Sequence, residues 1–161
     1  LEDIDKAANE KSHWRVQRVR KIAVVLTTVA IIAALAGLLG SGPISTTYAR
    51  NPANSLAVEY PRFLRMDAPF VMTIDAAAPA SGNNLEISFD VDYLRSFEVE
   101  SISPEPAGSR IGQGLTTYVF ESQGGRSMIR FGMRPHTFGS VTGRMQTRDS
   151  EGISLRHFIY P

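Results

Sequence analysis

The pattern of apolar and polar positions divides the chain into unlike stretches. From Ile22 to Leu39 every residue is apolar or small and none is charged. With Gly40 and Ser41 the run reaches the roughly 20 residues that a helix needs to cross the hydrocarbon core of a bilayer. Residues 42–55 are rich in Gly, Pro, Ser, Thr and Asn and follow neither the helical nor the strand period, which predicts a linker. From Leu56 onward the period is two, the mark of strands with one dry and one wet face. It is clearest over Leu85 to Val91, where Leu85, Ile87, Phe89 and Val91 alternate with Glu86, Ser88 and Asp90. The same alternation picks out Leu56–Tyr60, Phe70–Asp75, Phe97–Ile102, Leu115–Glu121, Met128–Arg134, Val141–Thr147 and Ile153–Tyr160, separated by turn clusters such as Pro79–Asn84 and Ser122–Arg126. Asp92–Ser96 reads as a helical turn crossing between strands.

The predicted architecture is a single N-terminal transmembrane α-helix plus an all-β domain. The boundaries are a cytoplasmic basic tail (1–21), the span (22–41), a linker (42–55) and a periplasmic domain (56–161). The domain is expected to be an antiparallel immunoglobulin- or fibronectin-like β-sandwich of about seven to eight strands. One helical face of the span is all small: Ala23, Thr27, Ala30, Ala34, Gly37 and Ser41 recur at spacings of four and three. In lipid, helices associate where small residues let backbones approach, so this face is the candidate for packing on other integral membrane subunits.

Charge orients the span. Trp14, Arg15, Arg18, Arg20 and Lys21 crowd its N-terminal mouth, whereas the first cation beyond it is Arg50. That asymmetry keeps the N-terminus in the cytoplasm and suits contact with anionic lipid headgroups. A cleaved signal peptide is the rival reading. The run is longer than the 7–15 residues, approximately, of a signal's apolar region, and the small-x-small candidate Thr47-Tyr48-Ala49 lies well beyond Leu39, so a retained signal-anchor of a bacterial inner membrane is expected.

Composition narrows the function. The net charge is +1, split as +2 over residues 1–39 and −1 over 40–161, which excludes a nucleic-acid-binding face. There is no cysteine, hence no disulfide, thiolate metal site or thiol nucleophile. His13, His136 and His157 fall at no metal-ligand spacing, and His157, inside a strand, reads as structural. Asp90-Val91-Asp92 begins like a calcium loop but has Arg95 where Gly is required and Ser101 where Glu is required. Gly112-Gln113-Gly114 and Gly124-Gly125 are turn glycines without the context of a phosphate cradle. Glu98 and Glu100 share a predicted strand face, and alternation on a wet face accounts for them. No catalytic, cofactor-binding or metal-binding residue emerges, and no enzyme is expected. Arg126, Arg130, Arg134, Arg144, Arg148 and Arg156 are spread over the last three strands. Arg130, Arg134, Arg144 and Arg148 form a candidate guanidinium stripe for docking a partner's carboxylates; a solvated face paired with Glu121, Asp149 and Glu151 is the alternative.

Tyr60-Pro61-Arg62-Phe63, Val99-Glu100-Ser101-Ile102-Ser103-Pro104-Glu105-Pro106, Leu115-Thr116-Thr117-Tyr118-Val119-Phe120 and Phe158-Ile159-Tyr160-Pro161 resemble stretches of a group of bacterial single-pass membrane proteins. That group has an N-terminal anchor, a small C-terminal all-β ectodomain and no assigned activity. The resemblance implies topology and fold only. The expected function is a non-catalytic accessory subunit whose helix and periplasmic domain pack on a larger inner-membrane complex, respiratory or photosynthetic complexes being the candidates. The alternative is a membrane-anchored periplasmic binding or sensor module.

Overall fold

The computed structural model describes residues 18–29, 31–32, 45–79, 84–122 and 124–161. Residues 18–29 and 31–32 are helical (α1), with every side chain exposed. The helix therefore already includes Arg18, Arg20 and Lys21, so the predicted boundary between tail and span falls inside it. Among the described residues no helix is long and apolar enough to cross a membrane. Residues 30 and 33–41 of the predicted span lie outside the described residues.

The rest is a two-sheet β-sandwich of eleven strands: β1 (Thr46–Arg50), β2 (Leu56–Pro61), β3 (Phe63–Arg65), β4 (Phe70–Ala77), β5 (Asn84–Asp90), β6 (Phe97–Ser103), β7 (Gly108–Gly112), β8 (Leu115–Glu121), β9 (Arg126–Pro135), β10 (Gly139–Thr147) and β11 (Ile153–Tyr160). One sheet has the order β1-β2-β4-β9-β6, the other β3-β11-β10-β5-β8-β7. Three features depart from expectation. The strand count exceeds seven to eight, because β1, β3 and β7 join the eight alternating segments. The sandwich is not wholly antiparallel, since β3 pairs with β11 in parallel. The predicted linker contains β1, which lies antiparallel on β2 with Tyr48 opposite Glu59.

Alternation builds the core. Leu56, Val58 and Tyr60 of β2, Met72 and Ile74 of β4, and Ile129, Phe131 and Met133 of β9 face inward from one sheet. Leu85, Ile87 and Phe89 of β5 and Ile153, Leu155, His157 and Ile159 of β11 face them from the other. Burial of such a side chain stabilises the fold by about 1.5–3 kcal/mol. Aromatic rings knit the two layers: Phe131 meets Phe89 and Tyr118 edge-on, at 5.3 Å between centroids in each case. Such arrangements set the positive edge of one ring against the negative face of another.

A short helix, α2 (Val91–Leu94), crosses from β5 to β6 as the sequence predicts. Its Tyr93 is 1 % exposed and drops between the sheets, where it stacks on Phe89. Room for it comes from Gly143 on the inward side of β10, since a Cβ there would overlap the Cβ, Cγ and Cδ2 of Tyr93. Replacing Gly143 with Ala should destabilise the domain by about 1–3 kcal/mol, the usual consequence of overpacking a filled core. Chemical denaturation of the variant beside the parent measures it, and an unchanged midpoint would mean that α2 can shift freely on β10.

Candidate functional site

Among the described residues no group of three His, Asp or Glu side chains could hold a metal ion. Among the described residues the one deeply buried histidine is His157 on β11, 1 % exposed. Its Nδ1 is 2.8 Å from the carbonyl oxygen of Pro61, and its Nε2 is 2.8 Å from the hydroxyl of Tyr93. A carbonyl can only accept, so Nδ1 carries the proton and donates, while Nε2 accepts from the tyrosine. Tyr60, Phe70, Tyr93 and Phe97 surround the imidazole at centroid distances of 5.0–5.8 Å. Burial disfavours the imidazolium and pulls the His157 pKa down to about 4, against a smaller opposing effect of the bond to Pro61. Burial likewise pushes the Tyr93 hydroxyl well above 10, with Tyr60 a lesser cause. Both ring nitrogens are occupied. The pair is a polar tie between β2, α2 and β11, and it offers no position to a ligand or proton acceptor.

The candidate guanidinium stripe does not assemble. β9 and β10 are consecutive in sequence but belong to different sheets, so Arg130 and Arg134 point from one outer face of the sandwich and Arg144 and Arg148 lie on the side of the other. Arg134 is engaged, with Nε 2.6 Å from Glu100 and Nη1 2.6 Å from the Asp67 carbonyl oxygen. A β-bulge between Val99 and Ser101 breaks the regular alternation of Glu98 and Glu100. Arg126 donates to Asp75 and to the carbonyl oxygen of Asn54. On the other sheet Arg148 approaches Glu86 at 3.7 Å, and Arg110 bonds the same carboxylate at 2.7 Å. On the same sheet the hydroxyls of Ser88 and Thr117 are buried and hydrogen-bonded to each other. Of the four, Arg130 and Arg144 take part in no ion pair among the described residues.

Of the candidate helix-packing residues, Ala23 and Thr27 lie on α1, where the Thr27 hydroxyl donates to the Ala23 carbonyl oxygen at 2.9 Å. Ala30, Ala34, Gly37 and Ser41 lie outside the described residues, as do Trp14 and Arg15 of the basic cluster. Arg18, Arg20 and Lys21 stand exposed on the first turns of α1.

An open cleft of about 710 Å³ lies between Pro104–Ala107 and the start of β9, bordered by Glu105, Glu121, Arg126 and Met128. A smaller hollow of about 240 Å³ is formed by Arg62, Phe63, Ser140, Arg156, His157 and Phe158. Sequence reasoning passed over the second, although Phe158 carried a signal: a large apolar residue at an outward position of an otherwise clean alternation.

The structure assigns His157 a pH-dependent contribution to stability. The folded state keeps it neutral down to about pH 4, whereas an unfolded histidine takes up a proton near 6.5. Between those values the unfolded chain binds more protons, so stability falls as the pH drops through this window, by on the order of 3 kcal/mol in total. Urea titrations at a series of pH values should show this fall, and His157→Gln should be less stable at neutral pH yet flatter from pH 6.5 to 4. Parallel profiles for the two proteins would contradict the assignment.

No protein-family model matches the chain, and no curated protein matches it. Among solved structures the chain is similar to the cohesin module of a family 33 glycoside hydrolase from Clostridium perfringens ATCC13124, at 12 % identity over 70 % of this chain and 98 % of that one, with a TM-score of 0.49. It is also similar to a non-cellulosomal cohesin from the hyperthermophilic archaeon Archaeoglobus fulgidus, at 8 % identity over 73 % of this chain and 91 % of that one, with a TM-score of 0.39.

Proposed function

We propose that the chain is a non-catalytic, membrane-anchored accessory subunit: its apolar helix sits in a bacterial inner membrane with the N-terminus cytoplasmic, and its β-sandwich rests on the periplasmic side of a larger complex. The observation that carries this reading is the solvent exposure of α1. Val19, Ile22, Val24, Val25, Leu26, Val29, Ile31 and Ile32 are each 54–67 % exposed. Leaving so many aliphatic side chains in water forfeits on the order of 10 kcal/mol, comparable to the whole stability of a small domain. Lipid, or helices already in lipid, is the covering that an uncharged run of this length fits.

The polar atoms of α1 agree. Thr27 and Thr28 both turn their hydroxyls back onto the carbonyl oxygens one turn earlier, at 2.9 Å each, so neither presents an unsatisfied donor to an apolar surrounding. Ala23 and Thr27 open the small face through which other integral membrane subunits would pack. Arg18, Arg20 and Lys21 supply the cytoplasmic charge that anionic lipids favour. The hydroxyl–imidazole pair of the sandwich, Tyr93–His157, is buried in the core, which supports a role in contact. A membrane-anchored binding module is the second reading, favoured by the open cleft beside Pro104–Ala107.

The full-length chain should remain in the membrane pellet through an alkaline carbonate wash. Ala23→Leu together with Thr27→Leu should leave it there while reducing co-purification of its partner subunits in mild detergent. Release by carbonate would overturn the anchor, and undiminished co-purification of the double variant would overturn packing through this face.

A further inference from the structure

We infer that the sandwich docks on the anionic surface of the same membrane that holds its helix, through a basic and aromatic patch where β2 crosses to β3; this rests on the anchored reading above. The patch contains Arg62, Phe63 and Arg65, together with Arg156 and Phe158 of β11 and Phe138 at the entry to β10. Phe158 is paired in register with Phe63 on one side and Ser140 on the other. Phe158 is 52 % exposed and Phe138 75 %. These are large apolar rings in water beside guanidiniums, the combination that settles at the boundary of headgroups and acyl chains.

Charge selects the occupant. Arg62, Arg65 and Arg156 take part in no ion pair among the described residues, unlike Arg110, Arg126, Arg134 and Arg148 elsewhere on the domain. The outward positions beside them are Ser140 and Thr142 on β10 and Ser154 and Tyr160 on β11, none of them acidic. The nearest acid along the chain is Asp67, two residues beyond Arg65. Arg62 and Arg156 border the hollow of about 240 Å³, a size that admits a phosphate group. Guanidiniums suit phosphate because their planar donors match its oxygens.

Chain connectivity locates the patch. The backbone N–H of Arg62 donates to the carbonyl oxygen of Ser45 at 2.7 Å, so the point where the chain enters the domain is one hydrogen bond from the patch. Ser45 follows Ser41, the end of the predicted span, by four residues, which reach at most about 14 Å when extended. The patch is thereby tethered within reach of the headgroups, whereas Glu151, two residues before β11, lies beyond the opposite end of that strand.

The chain has no cysteine, so single cysteines can report on this placement in the full-length protein. Ser140→Cys in the patch and Glu151→Cys at the opposite end would each carry a fluorophore, with the chain in nanodiscs of equal parts phosphatidylglycerol and phosphatidylcholine containing a headgroup-linked quencher. Quenching is expected at residue 140 and not at 151. Arg62→Gln and Arg156→Gln should each lower the ratio of docked to free domain by about fivefold, and discs of phosphatidylcholine alone should lower it further. Equal quenching at the two positions, or quenching at 140 that ignores both the arginines and the anionic lipid, overturns the inference and points to a protein or no partner at this patch. Flotation with lipid separates the two levels: a chain that leaves the bilayer overturns the anchor and the patch together, while one that floats with residue 140 unquenched overturns the patch alone.

Discussion

A sandwich whose chain passes from one sheet to the other must satisfy the backbone groups that the crossing carries, and in this protein that demand is concentrated at Arg62. Its N–H is satisfied by Ser45, just before the edge strand of the five-stranded sheet, and its carbonyl oxygen by the N–H of Phe158 in the six-stranded one, at 2.7 Å each. The preceding carbonyl, that of Pro61, turns inward and is met by His157, which is completed by Tyr93. Three elements distant in sequence thus converge on two consecutive peptide groups. A buried polar group without a partner costs about 1–3 kcal/mol, and this arrangement leaves none at the crossing. It also explains why a histidine occupies a core position: imidazole alone among the side chains accepts at one end and donates at the other while packing as a ring among aromatics.

The alternation of apolar residues made eight strands legible, and the helical turn with them, because each of those strands has one face in a shared core. β1, β3 and β7 stayed hidden for one reason. All three are sheet edges, where the hydrophobic signal fades: β7 is exposed at every position and β3 has only three residues. Their strand character comes from backbone pairing with a neighbour, which leaves little trace in side-chain pattern. The arginine stripe failed for a related reason. Consecutive strands usually neighbour each other, but the turn through Thr137 carries β9 and β10 into different layers, so residues that follow in sequence end on different faces. The patch around Arg62 was illegible because it depends on the parallel pairing of β3 with β11, across almost a hundred residues.

The parts of the molecule divide their work along physical lines. The sandwich satisfies much of its own polar inventory: its buried polar pairs Ser88–Thr117 and Tyr93–His157 are mutually satisfied, and five of its eleven arginines are matched by carboxylates. The helix is the reverse: from Ile22 onward its described side chains carry no charge and are exposed. The same contrast appears in miniature at the crossing, where unpaired guanidiniums and exposed rings sit next to the chain's entry into the domain. Exposed apolar side chains thus occur both on α1 and at the crossing around Arg62.

We propose that α1 is embedded in a membrane, with the sandwich on its outer side. Protease added to intact spheroplasts tests it directly. The account predicts that the β domain is digested while the basic N-terminal segment through Lys21 is protected; a domain that resists until the membrane is opened would contradict it, and would invert the orientation on which the partner and lipid assignments depend.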